Sequence, residues 1–134
     1  MKYRKFEELP IWQEAIKLTK IIYDLSAQKE WGRDFCLRDQ IRRAIISVSS
    51  NIVEGFEKNN NNEFVRFLKI AKGSVGETRN QLHIALAVGY IIKEEFNRTN
   101  QSLEDLANQI GKLISYLEKY KKNQLANSLT RNKK

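Results

Sequence analysis

The chain holds one histidine, His83, and one cysteine, Cys36. These two residues bound the metal and nucleophile chemistry that it can perform. A dinuclear carboxylate centre inside a helical bundle needs two Glu-x-x-His pairs and two further glutamates. Three residues before His83 stands Asn80, so that centre cannot be assembled. His83 reads as a surface or boundary residue. Cys36 has no His and Asp arrangement around it in sequence, and reads as a structural or inert thiol. The run Lys72-Gly73-Ser74 has the ending of a phosphate-binding loop, but the upstream glycine and the preceding strand are missing. We therefore expect no catalytic residues, no cofactor and no metal: the chain reads as a non-enzyme.

The informative chemistry lies in polar side chains on faces that are otherwise apolar. Gln40, Ser47, Asn51 and Glu54 follow one another at spacings of seven, four and three, which is one stripe of a helix. Ser74 and Glu77 lie on a similar stripe further along, with Gln81 beyond them. Two readings are available. Glu54 and Glu77 could form a catalytic carboxylate pair, or the whole set could be a hydrogen-bonded contact between helices or subunits that fixes register. We favour the contact, because no proton acceptor or metal partner accompanies the carboxylates.

Basic side chains recur on the same segments: Arg42 and Arg43, then Arg66, Lys69, Lys72 and Arg79. They read equally as a solvated, acid-paired face or as contacts to a phosphate backbone. The formal net charge is +8, and five of those charges come from an acid-free tail, Lys121, Lys122, Arg131, Lys133 and Lys134. The rest of the chain is only mildly basic. No recognition helix and no aromatic platform for single strands stands out, so any nucleic-acid contact is expected to be to phosphate, without base readout.

The elements that must position these groups are helices. One proline and six glycines in 134 residues leave few breakers. The first helix is expected from Pro10 to about Gln28, with Ile11, Ala15, Leu18, Ile22 and Leu25 as its stripe. The segment Lys29 to Asp34 is expected to be a loop broken at Gly32, with Asp34 capping the next helix. That second helix runs from Phe35 to about Phe56, with Leu37, Ile41, Ala44, Ile45, Val48 and Ile52 inward and Gly55 closing its end. The Asn-rich turn Lys58 to Asn62 leads into a third helix capped by Asn60 and running to about Ile91. Its stripe is Phe64, Leu68, Ala71, Val75, Leu82 and Leu86, and Gly73 and Gly76 are candidates for a close helix approach. Phe96, Thr99, Leu103, Leu106, Ile110, Leu113, Leu117 and Tyr120 form the seam of the fourth.

Short loops make successive helices antiparallel neighbours. The expected fold is all-α: an antiparallel up-down-up-down four-helix bundle over residues 1–120, followed by a basic disordered tail, residues 121–134. A single cysteine argues for a reducing compartment. The N-terminus never reaches the apolar core of a secretory signal, and no run is long enough to span a membrane. We expect a soluble cytoplasmic protein with no membrane partner.

QIRRAIISVSSNIVEG, residues 40–55, and FVRFLKIAKGSVGE, residues 64–77, carry a resemblance to a known family. So do FEELPIWQEAIKL, residues 6–18, and LAVGYI, residues 86–91. Over residues 3–120 the chain resembles the bacterial four-helix-bundle proteins encoded within intervening sequences of 23S rRNA genes. The accessory protein of diversity-generating retroelements belongs to the same broader group. Ile45 and Val53 replace alanines common in that pattern, both conservatively, and the KNNNN turn is richer in Asn. The resemblance implies a homopentamer with a basic surface and no known enzymatic activity. In the retroelement branch it implies association with a reverse transcriptase and with nucleic acid, RNA or DNA. A helical protein-interaction scaffold without nucleic acid is the alternative.

Overall fold

The computed structural model describes residues 2–132, with side chains described to Tyr120 and at Leu129. A short 3-10 turn, Phe6–Glu8, leads into α1, Pro10–Ser26. Then come α2, Lys29–Arg33; α3, Phe35–Glu57; α4, Asn61–Ala87; and α5, Lys93–Asn132. The four long helices α1, α3, α4 and α5 pack against one another, and the described residues hold no strand. Consecutive long helices are neighbours, and α5 returns to α1, closing the bundle.

The expected inward stripes of α1 and α3 are buried without exception. Pro10 occupies the first helical turn, where its missing N–H is no loss. Asp34 caps α3 by accepting from the Leu37 N–H at 3.1 Å. Asn60 caps α4 by accepting from the Glu63 N–H at 3.0 Å. In α5 the seam is buried at Phe96, Thr99, Leu103, Leu106, Ile110 and Leu117. Near its end the seam moves one residue on: Ile114 is buried, Leu113 only half-buried, and Tyr120 exposed. The α5 backbone continues past Tyr120 as helix to Asn132. Nearly all side chains of the basic tail lie outside the described residues.

Three local expectations need correction. Lys29 to Asp34 is not a loop: Lys29–Arg33 is a helical turn, too short for a periodic pattern to reveal. It exists to seat Trp31, which is wholly buried. Gly32 allows this, because a methyl group there would lie 2.7 Å from the Ala27 carbonyl oxygen. Gly55 does not end its helix. It is buried within α3, where a Cβ would meet the Phe67 Cβ at 2.7 Å, so it sets the close approach of α3 to α4.

The third helix stops at Ala87 rather than near Ile91. Gly89 has φ +83°, the Tyr90 N–H donates to the Ala85 carbonyl, and the Gly89 N–H donates to the Leu86 carbonyl. That pair of bonds is a Schellman stop, which the left-handed glycine permits. Ile91 is buried beyond the stop, which is why the apolar pattern runs past it.

The Trp31 turn ties the α1–α3 junction to the α4–α5 turn. Its ring stacks on Tyr90, centroids 6.3 Å apart, in the α4–α5 turn. The Tyr90 hydroxyl donates to Asp34 Oδ2 at 2.8 Å. The Leu37 N–H, followed by the Tyr90 hydroxyl, holds the Asp34 carboxyl below the usual carboxylate range. The same bond raises the Tyr90 phenol.

Candidate functional site

Ser47 on α3 and Ser74 on α4 meet at 2.9 Å, Oγ to Oγ. Asn51 donates from Nδ2 to the Ser47 carbonyl at 2.8 Å and to its Oγ at 2.9 Å. Thr78, wholly buried one turn after Ser74, donates to the Ser74 carbonyl at 2.8 Å. Three of the six polar residues singled out in the sequence thus form one cluster. The polar stripes do not include Thr78, although its spacing of four from Ser74 is visible in the sequence. All four groups are neutral, and none is a base in reach of a nucleophile. What such a cluster can do is help lock the register of α3 on α4, since a slip would part the Ser47–Ser74 pair, its one bond between the two helices, and leave the buried Ser74 hydroxyl without that partner.

Gln40, Glu54 and Glu77 lie outside it, exposed, with no side-chain hydrogen bond among the described residues. The Ser47–Ser74 and Gly55–Phe67 contacts set an antiparallel register that puts Glu54 near the level of Phe67. Glu77 is ten residues further along α4, roughly 15 Å away at 1.5 Å per residue. The two carboxylates are therefore not a catalytic pair. A Cβ placed on Gly73 or Gly76 would meet nothing within 4 Å, so among the described residues no neighbouring helix packs against them.

The basic residues divide into two groups. Arg42 donates from Nε to Ser26 Oγ at 2.9 Å and from Nη2 to the Tyr23 carbonyl at 3.2 Å, its guanidinium 4.4 Å from the Tyr23 ring. It satisfies the C-terminal end of α1 and is a bracing residue. Arg79 is held by Asn100 at 2.9 Å and Glu104 at 2.7 Å. Arg66 pairs with Glu63 at 2.7 Å over the Phe67 ring, which raises the guanidinium pKa and lowers that of the carboxyl. Arg43, Lys69 and Lys72 are exposed and make no ion pair among the described residues. Lys72 sits on the edge of α4 that faces α5, with its Nζ beside Gly111.

His83 is exposed, edge-on to Phe96 with centroids 4.6 Å apart. Cys36 is an exposed free thiol. No group of three His, Cys, Asp or Glu side chains among the described residues could hold a metal ion. No helix among the described residues is long and apolar enough to cross a membrane.

An all-α bundle with a neutral interhelical cluster and a scatter of unpaired surface cations defines the class of this protein. Residues 7–114 match the 23S rRNA-intervening sequence protein family, and the chain belongs to that family. It is similar to the crystal structure of a protein of unknown function from the S23 ribosomal protein family of Bacteroides thetaiotaomicron, with a TM-score of 0.71 and 20% identity. That match covers 78% of this chain and 97% of the other, and at such identity the likeness is one of fold. A comparison with curated proteins found no match.

Proposed function

We propose that this protein is a non-enzymatic homo-oligomer, a pentamer, that holds RNA or DNA by its phosphate backbone. The observation that carries the reading is the division of labour across the outer surfaces. Ile46, Ile70, Ile84 and Val88 are each at least 41% exposed on α3 and α4, and Val53 is half-buried. Apolar side chains grouped in this way on a monomer mark an association surface. The exposed Gln40, Glu54 and Glu77 and the open Gly73 flank the same face, where a second copy would give them partners. The number five comes from the family resemblance. Five chains would bring together a formal charge of about +40, a field that attracts polyanions.

Assembly is tested by light scattering. The wild type is expected to run as a multiple of 15.7 kDa at micromolar concentration, and Ile84→Glu to lower that mass. A monomeric wild type would refute assembly. Nucleic-acid binding is tested by filter titration against RNA and DNA at two salt concentrations. If about four phosphates are neutralised, a fourfold rise in salt weakens binding roughly 100-fold. Affinity is expected to vary little between sequences of equal length.

Absence of binding at low salt would favour a protein-interaction scaffold, with a reverse transcriptase as one partner class. A reverse transcriptase gene, or an enclosing rRNA gene, beside the coding sequence separates the branches.

A further inference from the structure

The groove between α4 and α5 gathers cations that no carboxylate neutralises. Lys72 reaches it from α4, and Lys112 and Lys119 from α5. With Asn108, Ser115 and Tyr116 they line a cleft of about 680 Å³. None of the three lysines makes an ion pair among the described residues. Glu118, the one acid after Asp105 in the sequence, does not line the cleft. Lys72 lies across α5 at Gly111, its Nζ at ordinary contact distance, 3.5 Å, from where a methyl group on that glycine would stand. Two turns away on the same edge of α4, Arg79 shows the contrasting case, with Glu104 and Asn100 taking up its charge. Like charges around one cleft repel, and an entering polyanion relieves that repulsion.

The cleft also has an aromatic wall. Tyr116 is 53% exposed, and its ring stacks on Tyr120 with centroids 6.5 Å apart and planes 22° apart. An exposed aromatic face beside a cationic groove takes a base that is not already stacked inside a duplex. Spacing in the sequence hides this, because Tyr120 continues the core seam and Tyr116 stands as an isolated surface residue. By helical periodicity the cleft lies on the flank of α4 away from Ile70, Ile84 and Val88, so assembly through that face leaves it open.

We propose that this cleft binds a short stretch of single-stranded nucleic acid, with phosphates on Lys72, Lys112 and Lys119 and a base on Tyr116. The proposal rests on the nucleic-acid reading above and adds a place and a strand preference to it. The test is fluorescence anisotropy with a labelled oligouridylate of about ten nucleotides and an RNA duplex of the same length. The wild type is expected to prefer the single strand. Tyr116→Ala should weaken single-strand binding about tenfold, Tyr116→Phe should not, and duplex binding should stay as it was. The triple variant Lys72→Ala, Lys112→Ala, Lys119→Ala should flatten the log–log salt slope by about 2. All four side chains are exposed, and unchanged melting curves confirm folded variants. If the wild type binds RNA but both cleft variants match it in affinity and salt slope, the cleft is not the site and the broader reading survives. Equal affinity for both strand types, with Tyr116→Ala silent, overturns the strand preference. A wild type that binds neither probe overturns the cleft proposal and the RNA part of the broader reading, and the DNA titration above decides the rest.

Discussion

Replacing Trp31 with alanine is expected to lower the unfolding free energy by about 3–5 kcal/mol. Trp31 is wholly buried, and its ring stacks on Tyr90. Truncation removes the side chain that fastens the α1–α3 junction to the α4–α5 turn. The cavity cannot close easily, because Gly32 already lies against the Ala27 carbonyl. The Trp31 Nε1 has no hydrogen-bond partner among the described residues, so the loss is one of packing and not of a polar bond. Trp31→Phe therefore keeps much of the ring contact and is expected to cost less than Trp31→Ala. Urea unfolding followed by circular dichroism, at a fixed protein concentration because assembly would add to stability, measures both variants. A change below about 1 kcal/mol for Trp31→Ala would mean that the turn is not part of the cooperative core.

Leu106→Ala is expected to cost about 2–5 kcal/mol, and Leu113→Ala clearly less. Both residues sit on the same apolar seam, and spacing alone treats them alike. Leu106 is wholly buried, whereas Leu113 is half-buried because Ile114 takes the inward position near the end of the bundle. An exposed edge lets water fill what the truncation removes, so the cavity penalty falls away. Equal costs for the two variants in the same urea titration would show that Leu113 is covered by something outside the single chain, and a subunit contact would be the first place to look.

The cap residues show how much of the fold is local. Asp34 and Asn60 each accept from the backbone N–H three residues on, as their side-chain chemistry demands, whatever lies around them. The Gly89 stop is likewise local, although the buried Ile91 beyond it carries the apolar pattern past the true end. The site was less legible. Among the cation candidates, Arg42 and Arg79 are consumed by partners 16 to 25 residues away in sequence, and no pattern within one helix announces such pairings. Glu54 and Glu77 share similar stripes on two helices. Whether they meet depends on the axial register of α3 against α4, which neither stripe contains.

The sequence by itself determined the helices, their inward faces and the bundle. Those follow from periodicity, capping chemistry and short connections, all of which act within a few residues. It also carried the family, through motifs spread over both central helices. The tertiary structure decided what distance in the chain conceals. It turned Gly55 from a helix end into the close approach of α3 and α4, and a six-residue loop into the seat of Trp31. It joined Ser47, Asn51, Ser74 and Thr78 into one cluster. It also brought Lys72 over Gly111, beside two lysines of α5, where three like charges share one cleft. The physical reason is the same in each case: a helix's own sequence sets which side of it is apolar, but only packing against another helix sets which residues stand at the same height.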